Sequence, residues 1–452
     1  ELQTVHGTVQ NGIIQSASVF RDGDGDGLPD TGTSPIITDA SGNFTLVGGY
    51  GDILVTGGTD LTTGKVNDKV LSAPTDRAIN TATDLDNVTM VTPLTSIIKA
   101  MTDQGMDVTT AVAKLNSALG LDTNFNPLNF NHTAAATSAS STEAQQKAAV
   151  AMKGAIAQVT AIMENSAGLI KGAAGTQTNL DAGAITASVA QALADKIIAV
   201  TAKTVTTDVT APPTTRLMAL ESQALIKEII TSAAASASAD SATPISAATL
   251  TSITNLATDA AQVIGGLNST VQGSVDAINN APTFNANKII DAFSVIAKTE
   301  ALGQDTIQTA ITMAATGGSL TAFAGSFTGA NLSTAITASD IGAIAAGVPS
   351  TAGGTFLSDA LTAANLPAST SAPSTPTPSP IPEPVTDTTV PTLASSSPAD
   401  NTTLVAVGSN IVLIFSENVV AGSGNIMISD DSDTRTIAVN DATQVSISGN
   451  HV

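Results

Sequence analysis

The 452-residue chain contains no cysteine and no tryptophan, and Tyr50 is its single tyrosine. Without cysteine it has no disulfide framework, no thiolate zinc site and no cysteine nucleophile. Aromatic residues make up 2% of the chain, so its cores must be built from Ala, Val, Ile and Leu, and large stacked binding surfaces are not expected. The 42% of hydrophobic residues is enough to bury cores, and the length suits about three domains of roughly 150 residues each.

Basic residues are also scarce. The chain has 16 Lys and Arg against 38 Asp and Glu, which gives a formal net charge of −22. Nucleic acids and anionic membranes are therefore excluded as expected partners, because both are bound through clustered basic residues. Divalent cations are the natural partners of such a chain. No run of 18 apolar residues and no basic segment followed by an apolar one is present, so we expect neither a membrane-spanning helix nor an uncleaved signal peptide.

The most unusual stretch is RDGDGDGLPDTGTSP at 21–35, in which aspartates alternate with glycines. Clustered carboxylates repel one another and glycines lose backbone entropy on ordering, so the stretch costs stability unless a cation binds it. The spacing matches positions 1, 3, 5, 7 and 9 of an EF-hand-type loop, with Gly27 at the sharp turn. The predicted calcium ligands are Asp22, Asp24, Asp26, the backbone carbonyl of Leu28, and Asp30.

The loop lacks one ligand of the EF-hand pattern. Position 12, normally a bidentate glutamate, is Thr33, so Asp39 or a backbone carbonyl would have to complete the shell. Magnesium fits less well because it demands tight octahedral geometry. The alternative is a solvated acidic turn that binds no ion.

Composition along the chain predicts a multidomain protein. Residues 1–92 form a β-sandwich-like module, because short Val, Ile, Phe and Thr segments alternate with Gly, Asp and Asn turns. Residues 93–366 are rich in Ala, Ser and Thr with periodic Ile, Leu and Val, which predicts an all-α region. Residues 367–391 form a Pro-rich extended linker, and the alternating pattern of 392–452 predicts a partial Ig-like β-sandwich.

The clearest predicted helix covers 249–279, where apolar residues recur at alternating steps of three and four. Its stripe consists of Leu250, Ile253, Ala257, Ala260, Ile264, Leu267, Val271 and Ile278, with Ser274 at the missing apolar position. The stripe suits packing in a bundle, with an intermolecular coiled coil as the alternative. Gly265 and Gly266 are expected to bend the helix. Further helices are predicted at 143–171, 181–204, 216–236, 286–301 and 331–346.

No catalytic constellation is evident, and we predict that the protein is not an enzyme. The segment GGTDLTTGKV at 57–66 has the wrong glycine spacing for a phosphate-binding loop and is interpreted as a turn. The histidines His6, His132 and His451 lie in different regions without zinc-type spacing, so each is interpreted as a surface or strand residue.

Two segments resemble known families. In the N-terminal part, Gly7-x-Val9, Ala17-x-Val19-Phe20-x-Asp22 and Thr38-Asp39-x-x-Gly42-x-Phe44-x-Leu46 resemble the prealbumin-like B-repeat modules of large bacterial surface proteins. The segment VTPLTSII at 91–98 looks like the stretch that follows such modules in long secreted adhesins. The resemblance implies a secreted, bacterial, cell-surface location.

In the C-terminal part, the motifs Ser397-Pro398-Ala399-Asp400-Asn401, Asn410-Ile411-Val412-Leu413-x-Phe415-Ser416-Glu417 and Gly422-Ser423-Gly424-Asn425-Ile426 are similar to the bacterial Ig-like domain of surface-layer and adhesin proteins. A complete Ig-like sandwich takes about 100 residues, more than follow the linker. Either the sequence is a fragment of a longer chain, or another molecule supplies the missing strands.

These observations favour an extracellular structural protein of a bacterial surface. We expect it to assemble with copies of itself into a fibre, sheath or layer, with calcium stabilising the N-terminal module. The alternative is the stalk of a large calcium-dependent adhesin, in which these modules only space a distant ligand-binding tip.

Overall fold

The structure is a computed structural model, and it divides the chain into two compact units, Glu1–Thr375 and Pro376–Val452. The residues that it describes are 4–25, 27–30, 33–47, 51–74, 90–138, 140–175, 182–203, 216–240, 244–281, 286–316, 320–326, 329–338, 392–397, 411–415, 424–429, 434–439, 441 and 444–445. The predicted Pro-rich linker lies outside them.

The first unit begins with a β region whose strands form three small sheets. Their strand orders are β10-β1-β5, β4-β3-β6-β9 and β2-β7-β8. The strands are β1 (Thr4–Val9), β2 (Ile14–Gln15), β3 (Ser18–Asp22), β4 (Ile36–Ile37), β5 (Asn43–Val47), β6 (Asp52–Thr56), β7 (Thr59–Asp60), β8 (Lys65–Val66), β9 (Val70–Ala73) and β10 (Met90–Val91). The β-rich character predicted for the N-terminal region is thus present in its described residues.

Alternation of apolar and polar residues fixes which face of each strand is buried. In β5, Phe44 and Leu46 are buried while the residues between and beside them are exposed. They pack with Val5, Val9 and Ile53 among others in the apolar cluster of the β region. At the edge of the four-stranded sheet, both residues of β4 are exposed isoleucines. This edge therefore presents apolar side chains to solvent.

Most of the remaining described residues of the first unit are helical. Its helices are α1 (Pro93–Asp103), α2 (Val108–Leu119), α3 (His132–Thr137), α4 (Glu143–Ala174), α5 (Ala182–Lys203), α6 (Gln223–Asp240), α7 (Ala247–Asn279), α8 (Ala286–Leu302), α9 (Gln308–Ala315), α10 (Thr321–Ser326) and α11 (Gly329–Ala338). A π-helical turn, Gly303–Ile307, joins α8 to α9. The multidomain layout of β-rich, helical and C-terminal β segments is thus confirmed at this coarse level.

Helix α7 carries the predicted stripe. All its members are buried except Leu250, which is partly buried against the same apolar cluster. The helix packs on α4 and α6, so the stripe belongs to an intramolecular bundle and the coiled-coil alternative is not needed. The helix runs through Gly265 and Gly266 without interruption. A Cβ on Gly265 would lie 2.9 Å from the carbonyl oxygen of Glu221, so this glycine allows close approach of a neighbouring segment.

Helices α1 and α2 begin and end at recognisable capping residues, although neither was predicted individually. Thr92 forms a capping box with Thr95, and Pro93 occupies the first turn of α1. The Asp107 side chain caps α2, which ends at Gly120 in the left-handed conformation. Among the predicted helices, 216–236 begins too early: α6 starts at Gln223 and residues 216–222 are not helical.

Close contact between α4 and α7 depends on a glycine. A Cβ on Gly154 would lie 2.5 Å from Cγ2 of Val275. Gly154→Ala gains about 1 kcal/mol of helix propensity but overpacks the interface at a cost of about 1–3 kcal/mol, so we expect a net loss of stability. In urea denaturation, Gly154→Ala combined with Val275→Ala should be more stable than the sum of the two single effects. Additive effects would contradict this account of the interface.

Helix α5 contains a segment that satisfies length and hydropathy criteria for crossing a membrane. The segment Gly183–Ala202 has a mean hydropathy of 1.3, and 50% of its apolar stretch is buried inside the fold. Core helices of soluble proteins satisfy the same criteria. Ile185, Val189 and Leu193 of this helix belong to the apolar cluster of the helical region. The segment is therefore accounted for as a bundle helix.

The second unit contains two antiparallel strand pairs among its described residues. They are β11 (Leu393–Ser397) with β12 (Val412–Phe415), and β13 (Asn425–Ser429) with β14 (Thr434–Ala438). Three of its large apolar residues, Leu393, Ile411 and Met427, are exposed. Antiparallel pairing agrees with the β-sandwich pattern predicted for 392–452.

Candidate metal centre

The acidic loop starts where strand β3 ends. Asp22 is the last residue of β3 and lies opposite Asp52, the first residue of β6, in the antiparallel register. Asp22 is 0% exposed and Asp52 is also buried. The strand thus brings one carboxylate of the loop into the interior, beside a second one from the neighbouring strand.

Backbone N–H groups of the loop converge on its carboxylates. Gly25 and Gly27 donate to the two carboxylate oxygens of Asp22, at 2.7 and 3.1 Å. The N–H of Gly23 donates to both oxygens of Asp30, at 3.0 and 3.1 Å. Gly25 and Gly27 have φ values of 77° and 80°, a left-handed conformation that glycine adopts without strain. The alternating glycines are thus what lets the loop fold around its aspartates.

Three of the predicted ligands lie together. One carboxylate oxygen from each of Asp22, Asp24 and Asp30 lies within 4.8 Å of the others. Oxygens that share a calcium ion at 2.3–2.6 Å are separated by no more than about twice that distance. Each ionised carboxylate has about four lone-pair sites, so the N–H bonds leave acceptor capacity for a cation. The residues present therefore fit a calcium ion.

The remaining predicted positions give a mixed outcome. Asp26 lies outside the described residues, and the side chain of Leu28 is 51% exposed. Thr33, at position 12, donates its hydroxyl to the carbonyl oxygen of Asp30 at 2.6 Å and so closes the loop. The carboxylate of Asp39 accepts the N–H groups of Ser41 and Asn43, both at 2.8 Å, in the turn before β5. These bonds lower the pKa of Asp39. They also give its carboxylate a structural role in the turn that requires no metal.

A charged side chain of the helical region lies close to the first residue of the acidic loop. Lys99 of α1 lies 3.1 Å from a carboxylate oxygen of Asp52 and also pairs with Asp103. Burial raises the pKa of Asp22 and the charge of Asp52 adds to this, while the N–H groups of Gly25 and Gly27 and the charge of Lys99 oppose it. A cation at the loop would likewise favour the ionised form of Asp22. Sequence reasoning missed Asp52 and Lys99 because their proximity depends on strand register and helix docking.

A cleft of about 210 Å³ lies beside the loop. Its lining includes Gly25 and Gly27 of the loop, Leu54 of β6, Lys99 of α1 and Gln191 of α5. The loop therefore lies against the helical region rather than projecting from an isolated module.

The structure also places the residues weighed for enzymatic chemistry. The segment 57–66 forms the hairpin of β7 and β8, which confirms its interpretation as a turn. His6 lies on β1, where its ring bonds to Thr45. His132 is buried at the start of α3 and stacks on Phe293, so its interpretation as a surface or strand residue was wrong. His451 lies outside the described residues.

Comparison with known families identifies the C-terminal part. Residues 387–452 match the family model of the bacterial Ig-like domain. Domains of this family occur in bacterial surface proteins. Neither the curated proteins nor the solved structures contain a match to the chain. The predicted Ig-like domain is thus confirmed, whereas the likeness of residues 1–92 to prealbumin-like modules stays a prediction.

Proposed function

We propose that the chain is part of an extracellular structural protein of a bacterial surface, which assembles with copies of itself while calcium stabilises its N-terminal β region. We infer the surface location from the bacterial Ig-like domain at residues 387–452. The acidic loop supports the calcium part. Its three described aspartates surround one point from which a cation would reach all of them.

Exposed apolar residues on strands support self-assembly. Ile36 and Ile37 form an edge strand of the β region, and Val47 and Val66 at strand ends are exposed as well. Sheet edges with apolar side chains pair readily with strands of other chains, which gives filaments when the contact is not closed by symmetry. We also propose that the protein is not an enzyme.

Calcium is expected to bind the loop and to stabilise the β region. A ligand that binds only the native state stabilises it by about 2.7 kcal/mol at a hundredfold excess over its Kd. Isothermal calorimetry should therefore show binding of Ca²⁺, and a chelator should lower the melting temperature. Asp24→Asn combined with Asp30→Asn should abolish both effects, because it removes two of the three converging carboxylates.

The matched control for this experiment is Asp39→Asn. Asp39 is acidic and lies in the same β region, but its carboxylate holds a turn. It should change stability without changing the heat of calcium binding. No heat of binding in the unaltered chain, together with no response to chelator, would reject the calcium site.

The adhesin stalk is the second candidate, and the Ig-like domain favours it equally. A stalk needs no contact between copies, so the purified chain would remain an elongated monomer with calcium. Sedimentation with and without calcium distinguishes assembly from an elongated monomer.

A further inference from the structure

The β region and the helical region meet through polar contacts. The buried apolar side chains of the described first unit form two clusters, one drawn from 5–91 and the other from 94–336. Between them run hydrogen bonds and ion pairs, which we call the polar seam. Among the described residues the seam includes Gln10 with Asn131, Asn11 with Lys153 and Thr160, Asp52 with Lys99, Thr63 with Gln304, Asp68 with Gln308, Lys69 with Glu164, Ser72 with Thr95 and Ser96, and the N–H of Met90 with the carbonyl oxygen of Leu128.

The centre of the seam is charged and fully buried. Lys69 pairs with Glu164 across the seam, and on the helical side of it Lys153 of α4 pairs with Glu300 of α8, whose Oε2 lies 2.5 Å from Nζ of Lys153. The Lys153 ammonium also donates to the carbonyl oxygen of Asn11. In a buried ion pair, the attraction between the charges offsets the free-energy cost of removing them from water only while the two groups stay in close contact. If the two regions separated, water would hydrate the charged groups on the exposed surfaces.

Several buried polar atoms in the seam or next to it lack hydrogen-bond partners. Among the described residues these include Nδ2 of Asn11, Oε2 of Glu164 and Oε1 of Glu300, all buried. A buried polar atom without a partner costs free energy that hydration would recover. When the two regions are in contact, some buried polar atoms therefore lack hydrogen bonds, a cost that a purely apolar interface does not have.

One covalent connection joins the two regions. The described strands of the first unit end with β10 at Val91, and its described helices begin with α1 at Pro93, so Thr92 links them. We infer that the seam is a conformational joint: the β region undocks from the helices as a folded unit, with the hinge at Thr92, without unfolding of either apolar cluster.

Thiol labelling tests this inference, because the chain has no cysteine of its own. Thr160 and Val159 are neighbours on α4 and both are 0% exposed, but Thr160 bonds to Asn11 across the seam while Val159 lies in the helical cluster. With a small thiol reagent in native buffer, Thr160→Cys should be labelled at least tenfold faster than Val159→Cys. Low urea should accelerate labelling of Val159→Cys more steeply, because its exposure requires global unfolding.

A second substitution links opening to the seam charges. Glu300→Gln should raise the labelling rate of Thr160→Cys several-fold, and Thr160→Cys should still be labelled at least tenfold faster than Val159→Cys in that background. Thr63→Cys, on the β side of the seam, provides an independent probe if Thr160→Cys does not fold. Equal labelling rates for seam and core positions, with the same dependence on urea, would show that the seam opens only on global unfolding and would overturn the inference.

Discussion

Lys153→Met should destabilise the first unit by about 3–5 kcal/mol, because it leaves a buried carboxylate without its partner. The side chains of Lys153 and Glu300 are 2% and 1% exposed. Burial raises the pKa of Glu300 to about 7, and the charge of Lys153 opposes that rise. Without the lysine, the carboxyl group should stay protonated to higher pH. Urea denaturation should show the full loss at pH 8.

The loss should be smaller at pH 5. Because the pKa of Glu300 is higher in the folded than in the unfolded chain, its contribution to stability falls as pH rises from about 4.5 to about 7. Asp60 and Lys69 also act on Glu300, the first raising and the second lowering its pKa. Lys153→Met combined with Glu300→Leu should recover most of the stability at both pH values. A loss below about 1 kcal/mol at both would contradict the buried pair's role.

His132→Phe should make the protein less sensitive to acid. Burial lowers the pKa of His132 to about 3 from 6.5, and the charge of Lys153 adds to this. The unfolded chain therefore binds a proton between these values while the folded chain does not, so stability falls as pH falls through this window. From pH 7 to pH 4 the contribution of this histidine is about 3 kcal/mol.

Chemical denaturation at pH 7 and pH 4 measures this difference. The unaltered chain should lose about 3 kcal/mol more than His132→Phe over the interval, although Glu300 partly offsets the loss in both proteins. Phenylalanine keeps the ring that stacks on Phe293 and removes two buried nitrogens that lack hydrogen-bond partners among the described residues. Parallel pH profiles for the two proteins would contradict a buried, neutral His132.

Local patterns predicted much of the secondary structure. The stripe of α7 and the alternation in β5 follow directly from periods of 3.6 and 2. The short helices α3 and α10 were harder to predict, because each has six residues and helical periodicity is recognised only over a longer segment. Gly265 and Gly266 do not interrupt α7, and a Cβ on Gly265 would lie against the carbonyl oxygen of Glu221, in the segment before α6. The bend at these glycines stays a prediction.

The site was predictable only where its residues are consecutive. Alternating aspartates and glycines indicate the loop, and three of its aspartates converge. Asp52 lies about thirty residues away, Lys99 further still, and their approach to Asp22 depends on tertiary packing that no local pattern encodes. The same holds for Lys153 and Glu300, which are ordinary charged residues in the sequence and become buried partners only when α4 and α8 pack together.

Sedimentation velocity at micromolar protein, with millimolar calcium or with chelator, decides between calcium-dependent self-assembly and a monomer. We expect large assemblies with calcium, visible by electron microscopy as fibres or layers, and their loss with chelator or in the Asp24→Asn, Asp30→Asn variant. A persistent monomer at all concentrations with calcium bound would contradict self-assembly and favour the stalk.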